Sequence, residues 1–134
     1  MFHGYRGSSE RDLSSGVRRA KACGHNVLLV DQRASGLSQG HVISFGINEH
    51  KDCLNWIKFV NKKFGSNTKI ILTGISMGAA TVMMATKYTL PKNVIGVIAD
   101  CGYTSVWEQF SHQLKSIYSL PKFPIRKGLP YELL

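Results

Sequence analysis

The sequence predicts an α/β fold built on a mostly parallel β-sheet. Two short apolar runs rich in β-branched residues, "KIILTG" and "VIGVIAD", flank the helix-forming segment "AATVMMATKY". A third apolar run, "NVLLVD", lies upstream between two segments whose apolar residues recur at helical spacing. Strands that alternate with helices in this way form parallel sheets with right-handed crossovers, so we expect helices on both faces of the sheet.

Composition predicts a soluble globular chain. The chain has 134 residues, of which 43% are hydrophobic, which is enough to bury a core. It contains no run of about 18 apolar residues, and its N-terminus lacks the apolar segment of a signal peptide. We therefore expect no membrane span in this chain and a cytoplasmic location, with an anchor upstream of the chain left open.

Cysteine content and charge argue against several classes of site. The three cysteines, Cys23, Cys53 and Cys101, are odd in number and far apart, so we expect no disulfide framework, no metal site and a reducing compartment. The net charge is +9, and the lysines are scattered over several elements, without the interleaved aromatic residues of a single-strand-binding surface. We expect neither a nucleic-acid partner nor a cofactor.

The first half of the chain predicts a helix, a strand and a second helix. Ser9 and Asp12 form a capping pattern ahead of a helix over residues 10–22, which Gly24 ends. Residues 27–30 are all apolar and predict a strand buried on both faces. The second helix lies in "NEHKDCLNWIKFVNKKF" and is followed by Gly65. Apolar residues mark one face of each helix: Leu13, Val17 and Ala20 in the first, and Cys53, Leu54, Ile57, Val60 and Phe64 in the second.

The C-terminal part of the chain differs from the alternating part. Ser105 and Glu108 form a capping box, followed by a helix and then the proline-containing loop "LPKFPIRKGLP". We therefore divide the chain into a core over residues 1–104 and a second region over residues 105–134. One face of this helix is apolar, through Trp107, Phe110, Leu114 and Ile117.

A serine stands between two glycines in "LTGISMGAAT", where a predicted strand meets a predicted helix. A tight turn there exposes the hydroxyl of Ser76 and directs the following backbone N–H, that of Met77, at a developing oxyanion. Gly74 and Gly78 remove side chains that would collide where strand and helix approach. The arrangement predicts a nucleophile elbow; the alternative is a packing turn with an inert serine.

A second motif, "FHGYRG", precedes the first helix. A strand-to-helix loop at His3 and Gly4 would offer the backbone N–H of Tyr5 as the second oxyanion donor, beside that of Met77. His3 alternatively serves only to shape this loop through hydrogen bonds.

Four segments, "FHGYRG", "DQRASGLSQG", "LTGISMGAAT" and "VIADCGYTS", resemble in order and spacing the motifs of the α/β-hydrolase family. The resemblance is greatest to its bacterial serine-hydrolase branch, related to dienelactone hydrolases and serine aminopeptidases, and covers residues 2–125. It implies a three-layer α/β-hydrolase fold, with Ser76 as nucleophile and with Asp31 and Arg33 shaping the neighbouring loop. Ser35 departs from the pattern, because the family usually has histidine before Gly36.

The resemblance also implies that the fold is incomplete at both ends. The family's triad acid and histidine follow later strands, and the strand before the His-Gly loop is reduced to Met1 and Phe2. That strand belongs between those of residues 27–30 and 70–73. We therefore expect two unpaired apolar edges and self-association through them.

Two functions remain open on the sequence alone. One is a serine hydrolase, either an esterase or acyl hydrolase or a peptidase-like enzyme, that attacks an ester, thioester or amide through Ser76. The other is a catalytically inactive truncated fragment that acts at most as a binding or assembly partner. Asp100 is a candidate acid, but a cap of the following turn is the preferred interpretation, and His112 suits a solvated helix position. The helix after Ser105 resembles the start of the lid that covers the site in this family, and its apolar face then suggests hydrophobic substrates. The alternative is that this face simply packs on the sheet.

Overall fold

The structure, a computed structural model, describes residues 1–118. The chain divides into two compact units, Met1–Gly102 and Tyr103–Leu134. Within residues 1–118, no helix combines the length and the apolar character that a membrane crossing requires. The elements in chain order are α1 (Ser9–Asp12), α2 (Ser14–Ala22), α3 (Glu49–Phe64), β1 (Ile70–Ile75), α4 (Met77–Ala85), β2 (Val94–Asp100) and α5 (Val106–Tyr118).

The parallel sheet predicted from the alternating pattern is confirmed. β1 and β2 pair in parallel, with Leu72 opposite Val97 and Ile75 opposite Asp100. Helix α4 connects the two strands and packs against both of them. This crossover brings the carboxyl ends of both strands to one edge, where parallel α/β sheets place their functional groups.

The core lies between α3, α4 and the strands. Its buried members come from several elements, namely Phe2, Val30, Cys53, Ile57, Leu72, Val82 and Ala85. On α3 the predicted apolar face is only partly buried, because Phe64 is exposed at the helix end. Gly65 ends α3 as predicted, with a φ of 90° that other residues rarely adopt.

The prediction of a fully buried strand at residues 27–30 is wrong. Only Val30 forms a bridge, to Phe2, whereas Leu28 and Leu29 are 37% and 38% exposed. The physical reason is the short partner: Phe2 alone lies between Val30 and β1, bridging to Gly74 on its other side. Phe2 donates to Thr73 O at 2.8 Å and accepts from Ile75 N at 3.1 Å, so the expected gap is closed at one position of the sheet.

The predicted helix over residues 10–22 is interrupted. It forms as α1 and α2, separated at Leu13, whose φ of −104° and ψ of 3° lie outside the helical region. Leu13 is nevertheless buried, so the apolar contact of the predicted face persists across the break. The cap is also one residue earlier than predicted, because the hydroxyl of Ser8, not Ser9, accepts the N–H of Arg11. Gly24, at a φ of 74°, follows α2 as predicted.

The described part of the sheet ends at β2, with no strand paired to its outer edge. Ile95, Val97 and Ile98 are exposed on this strand. Self-association through strand edges stays a prediction.

In the second unit, the Ser105 hydroxyl accepts the N–H of Glu108 at 3.3 Å and so caps α5. The predicted proline-containing loop lies outside the described residues. The division at residue 104 and the lid interpretation of residues 105–134 stay predictions.

Candidate active site

Ser76 occupies the junction between β1 and α4. It is exposed and adopts a φ of 54° and a ψ of −116°, a left-handed conformation unusual for any residue except glycine. Its backbone N–H is held by the carbonyl of Asp100 at 2.8 Å, which ties the turn to the end of β2. Non-glycine residues forced into this region concentrate at functional sites, and the strain here displays the Ser76 side chain at the sheet edge.

The two motif glycines make this turn sterically possible. A Cβ on Gly74 would overlap the carbonyl of Gly78 and lie 2.6 Å from Ala79 N. A Cβ on Gly78 would overlap the Phe2 carbonyl oxygen and lie 2.7 Å from that of His3. All of these are backbone atoms, so no rotation of a side chain relieves the overlaps. Only glycine at both positions allows α4 to pack this closely on the sheet.

The His-Gly loop lies directly beside Ser76. A Cβ placed on Gly4 would be 3.5 Å from the Cβ of Ser76, so the two backbones are neighbours. A turn follows, in which Gly7 N–H donates to Gly4 O at 3.1 Å and Arg6 takes a φ of 52°. This turn presents Tyr5, the predicted oxyanion donor, next to the serine.

The backbone N–H groups predicted to bind an oxyanion are available at this site. The first hydrogen bond of α4 runs from Ala80 N to Ser76 O at 3.1 Å, so the N–H of Met77 precedes the hydrogen-bonded part of the helix. Among the hydrogen bonds outside helices and strands in residues 1–118, none has the Tyr5 N–H as donor. The N-terminus of α4 also carries a partial positive charge that favours an anion.

His3 holds the loop in place. It is fully buried, and its Nε2 accepts the backbone N–H of Gln32 at 2.9 Å. Because Nε2 is therefore the acceptor, Nδ1 carries the proton and donates to Gly4 O at 2.7 Å. Both ring nitrogens are used within the loop, which agrees with the loop-shaping role left open for His3.

A buried polar network that sequence reasoning missed supports this loop from below. The side chain of Gln32, only 3% exposed, donates through Nε2 to His3 O at 2.6 Å. Its Oε1 accepts the hydroxyl of Thr81 at 3.1 Å, which links the loop to α4. Thr81 interrupts the apolar run "AATVMMA", and a polar residue at such a buried position requires a partner. The position of Thr81 within this apolar run is therefore the feature of the sequence from which a buried hydrogen-bond partner could have been predicted.

We expect Gln32→Ala to lower the free energy of unfolding by about 1–3 kcal/mol, because it leaves buried partners on His3 and Thr81 without hydrogen bonds. Urea unfolding measures this loss. The control is Gln39→Ala, since Gln39 is exposed in the same loop. Equal unfolding midpoints for the two variants would contradict the network.

Asp31 and Arg33 organise the loop after Val30, as the resemblance implied. The Asp31 carboxylate accepts the N–H of Ser9 at 2.8 Å and that of Leu37 at 3.0 Å. These bonds, that of Leu37 most of all, stabilise the carboxylate and lower the pKa of Asp31. Arg33 forms two hydrogen bonds to Asp52, at 2.6 and 2.7 Å, and so ties the loop to α3.

The lowered pKa of Asp31 predicts acid sensitivity. A carboxyl whose pKa is lower in the folded state stabilises the fold above its unfolded pKa of about 3.9, and this contribution disappears as the pH falls through the folded value. We therefore expect stability to decline with less slope below about pH 4 in Asp31→Asn than in the wild type. Thermal unfolding across acid pH measures the slopes, with the exposed Glu10→Gln as control. Parallel curves of stability against pH for the wild type and Asp31→Asn would show that Asp31 does not cause the acid sensitivity.

The structure does not assemble a catalytic triad around Ser76 from the described residues. The exposed carboxylate of Asp100 accepts the thiol of Cys101 at 3.2 Å. Within residues 1–118, no side-chain hydrogen bond joins a histidine to Ser76 or Asp100, and His50 instead contacts Gly46 O at 2.9 Å and Tyr88 at 3.2 Å. The same residues contain no group of three potential metal ligands.

Comparison with known proteins places the chain in a family. The family model described as alpha/beta hydrolase fold matches residues 1–123. A Bacillus subtilis (strain 168) protein, the uncharacterized protein YqkD, is 31% identical over 102 residues, which are 76% of this chain. The chain spans about a third, 33%, of that relative's length. No solved structure matches significantly.

The match over residues 1–123 includes the strand-turn-helix at Ser76, the glycine contact beneath it and the His-Gly loop beside it. The resemblance seen in the four sequence motifs is thereby confirmed at the level of the family. The chain belongs to the alpha/beta hydrolase family.

Proposed function

We propose that Ser76 is the nucleophile of a serine hydrolase acting on an ester, thioester or amide. The observation that carries the proposal is the strained, exposed turn at Ser76, with a φ of 54°, set directly against Gly4 of the His-Gly loop. The Ser76 oxygen attacks the carbonyl carbon while its proton passes to a general base. The carbonyl oxygen becomes an oxyanion that accepts hydrogen bonds from the N–H groups of Met77 and Tyr5.

The proposal requires a general base and an acid that the described residues do not position at Ser76. We assign these roles to the whole protein and keep Asp100 as a candidate acid, since its carbonyl already lies 2.8 Å from Ser76 N. The second candidate function is a catalytically inactive binding or assembly partner. The exposed apolar strand β2, with Ile95 and Ile98 each 56% exposed, favours it. The dienelactone-hydrolase-related branch and the cytoplasmic location remain predictions.

A fluorophosphonate probe separates the two functions. An activated serine attacks its phosphorus, a bond forms between Ser76 Oγ and phosphorus, fluoride leaves, and the serine proton passes to the base. We expect labelling of the protein that disappears in Ser76→Ala and persists in Ser66→Ala, in which an exposed serine after α3 is removed. Whole protein that is folded but remains unlabelled would contradict the hydrolase and support the binding function.

A further inference from the structure

We infer that Phe45 is a specificity-determining residue of the Ser76 site and selects substrates that carry a planar apolar group beside the reacting centre. The inference rests on the proposed function and names a substrate class for it. Phe45 lies in the loop between the Asp31 segment and α3, in "ISFGINE", a stretch whose spacing alone suggested no role.

The ring of Phe45 stacks on that of Tyr5. The two ring centroids are 5.1 Å apart with an interplanar angle of 26°, and Tyr5 is 45% exposed. Tyr5 directly follows Gly4, whose Cβ position would lie 3.5 Å from the Cβ of Ser76. Tyr5 and Phe45 are 40 positions apart in the sequence, and their aromatic pair is attached through Tyr5 to the loop that adjoins Ser76.

The backbone of Phe45 is strained to place this ring. Phe45 adopts a φ of 54°, which is a genuine outlier for a bulky residue. Arg6 and Ser76, which adjoin the same loop and turn, have φ values of 52° and 54°. Strained residues that converge on one place indicate a functional constraint, because a connecting loop without such a constraint would use glycine there.

A buried carboxylate maintains the strained conformation. Glu49, 1% exposed, accepts the N–H and the hydroxyl of Ser44 at 2.8 and 2.7 Å and the N–H of Gly46 at 2.8 Å. These hydrogen bonds fix the residues on both sides of Phe45. The His50 backbone N–H also donates to Gly46 O at 3.0 Å, which joins the loop to α3.

The chemistry of the aromatic pair defines the ligand. Aromatic rings favour offset stacking or edge contacts with other flat apolar groups. The guanidinium of Arg6 lies 5.3 Å from the Tyr5 ring centroid, and this cation–π contact steadies the Tyr5 ring. A phenyl group attached to the reacting centre is accommodated better here than a linear alkyl chain with the same number of carbons.

Two fluorophosphonates, one with a phenyl and one with a hexyl substituent on phosphorus, test this inference on the whole protein, to which the general base is assigned. We expect the wild type to react faster with the phenyl probe, and Phe45→Ala to lower the phenyl-to-hexyl ratio of rate constants about threefold to tenfold. Phe45→Leu keeps apolar volume without an aromatic ring and should lower the ratio in the same direction. Phe59→Ala removes an exposed phenylalanine of α3 and should leave the ratio unchanged.

The outcomes separate the two claims. Labelling whose phenyl-to-hexyl ratio is the same in the wild type and both Phe45 variants would overturn the inference and leave the hydrolase proposal standing. Absence of Ser76-dependent labelling in folded wild-type protein would overturn both. Circular dichroism of each variant establishes that the fold is intact, and Phe45→Leu provides the comparison if Phe45→Ala fails to fold.

Discussion

Replacing Ser76 by alanine is expected to lower kcat of the protein by about 10⁴ to 10⁶ while leaving its fold intact. The size follows from the loss of the attacking oxygen, after which only the oxyanion donors and substrate binding remain. The fold should persist because the Ser76 side chain is exposed and the hydrogen bond to Asp100 O comes from its backbone N–H. Hydrolysis of a panel of activated esters, with thermal unfolding of each sample, measures both quantities.

Ser66→Ala is the matched control, because Ser66 is also exposed and lies in the turn after α3. Its turnover should equal that of the wild type. A Ser76→Ala protein that retains more than about a tenth of the wild-type kcat would exclude Ser76 as the nucleophile. Loss of the fold in Ser76→Ala would instead show that the serine has a structural role.

The elbow was predictable because its constraints are local. Strand, turn and helix are contiguous between residues 70 and 85, and the close approach of strand and helix explains both Gly74 and Gly78. Their steric reason is visible only in three dimensions, since the atoms that exclude a Cβ at Gly78 belong to Phe2 and His3. The spacing of the motif thus predicted that glycine is required at both positions, but it did not identify the backbone atoms that approach them.

Non-local effects account for the errors. Residues 27–30 have the composition of a buried strand, but a strand forms only where a partner supplies hydrogen bonds. Here Met1 alone does so, accepting the N–H of Val30 and donating its amino group to Leu28 O. The break at Leu13 also escapes the pattern, because the helical spacing of Leu13, Val17 and Ala20 predicts one continuous helix.

The polar contacts around the site were beyond sequence reasoning for a related reason. Gln32 and Thr81 are 49 positions apart, and Tyr5 and Phe45 are 40 apart, so neither pair forms a local motif. Glu49 stands in the first turn of α3, where an acidic residue needs no partner beyond the helix dipole and the solvent. Its burial and its three hydrogen bonds to Ser44 and Gly46 depend on how the preceding loop folds back.

Gly78→Val is expected to destabilise the chain by more than about 4 kcal/mol, the range reached only when a substitution breaks a specific structural requirement. A valine at this position would drive its Cβ into the Phe2 carbonyl oxygen, and the His3 carbonyl oxygen lies only 2.7 Å from the same point. Relief requires α4 to move away from the sheet, which exposes the apolar residues between them and displaces Ser76 from Gly4. Chemical and thermal unfolding of the 134-residue chain measure the loss.

Gly96→Val provides the matched control for this steric argument. Gly96 lies in β2, and a Cβ there would meet no atom within 4 Å. Valine favours strands and glycine weakens them, so this variant should be as stable as the wild type or slightly more stable. The two substitutions add the same atoms to the same chain, and only the backbone contact at Gly78 distinguishes them. Similar unfolding midpoints for both would mean that α4 does not pack on the Phe2 and His3 backbone, and that Ser76 does not lie on a tight strand-to-helix turn.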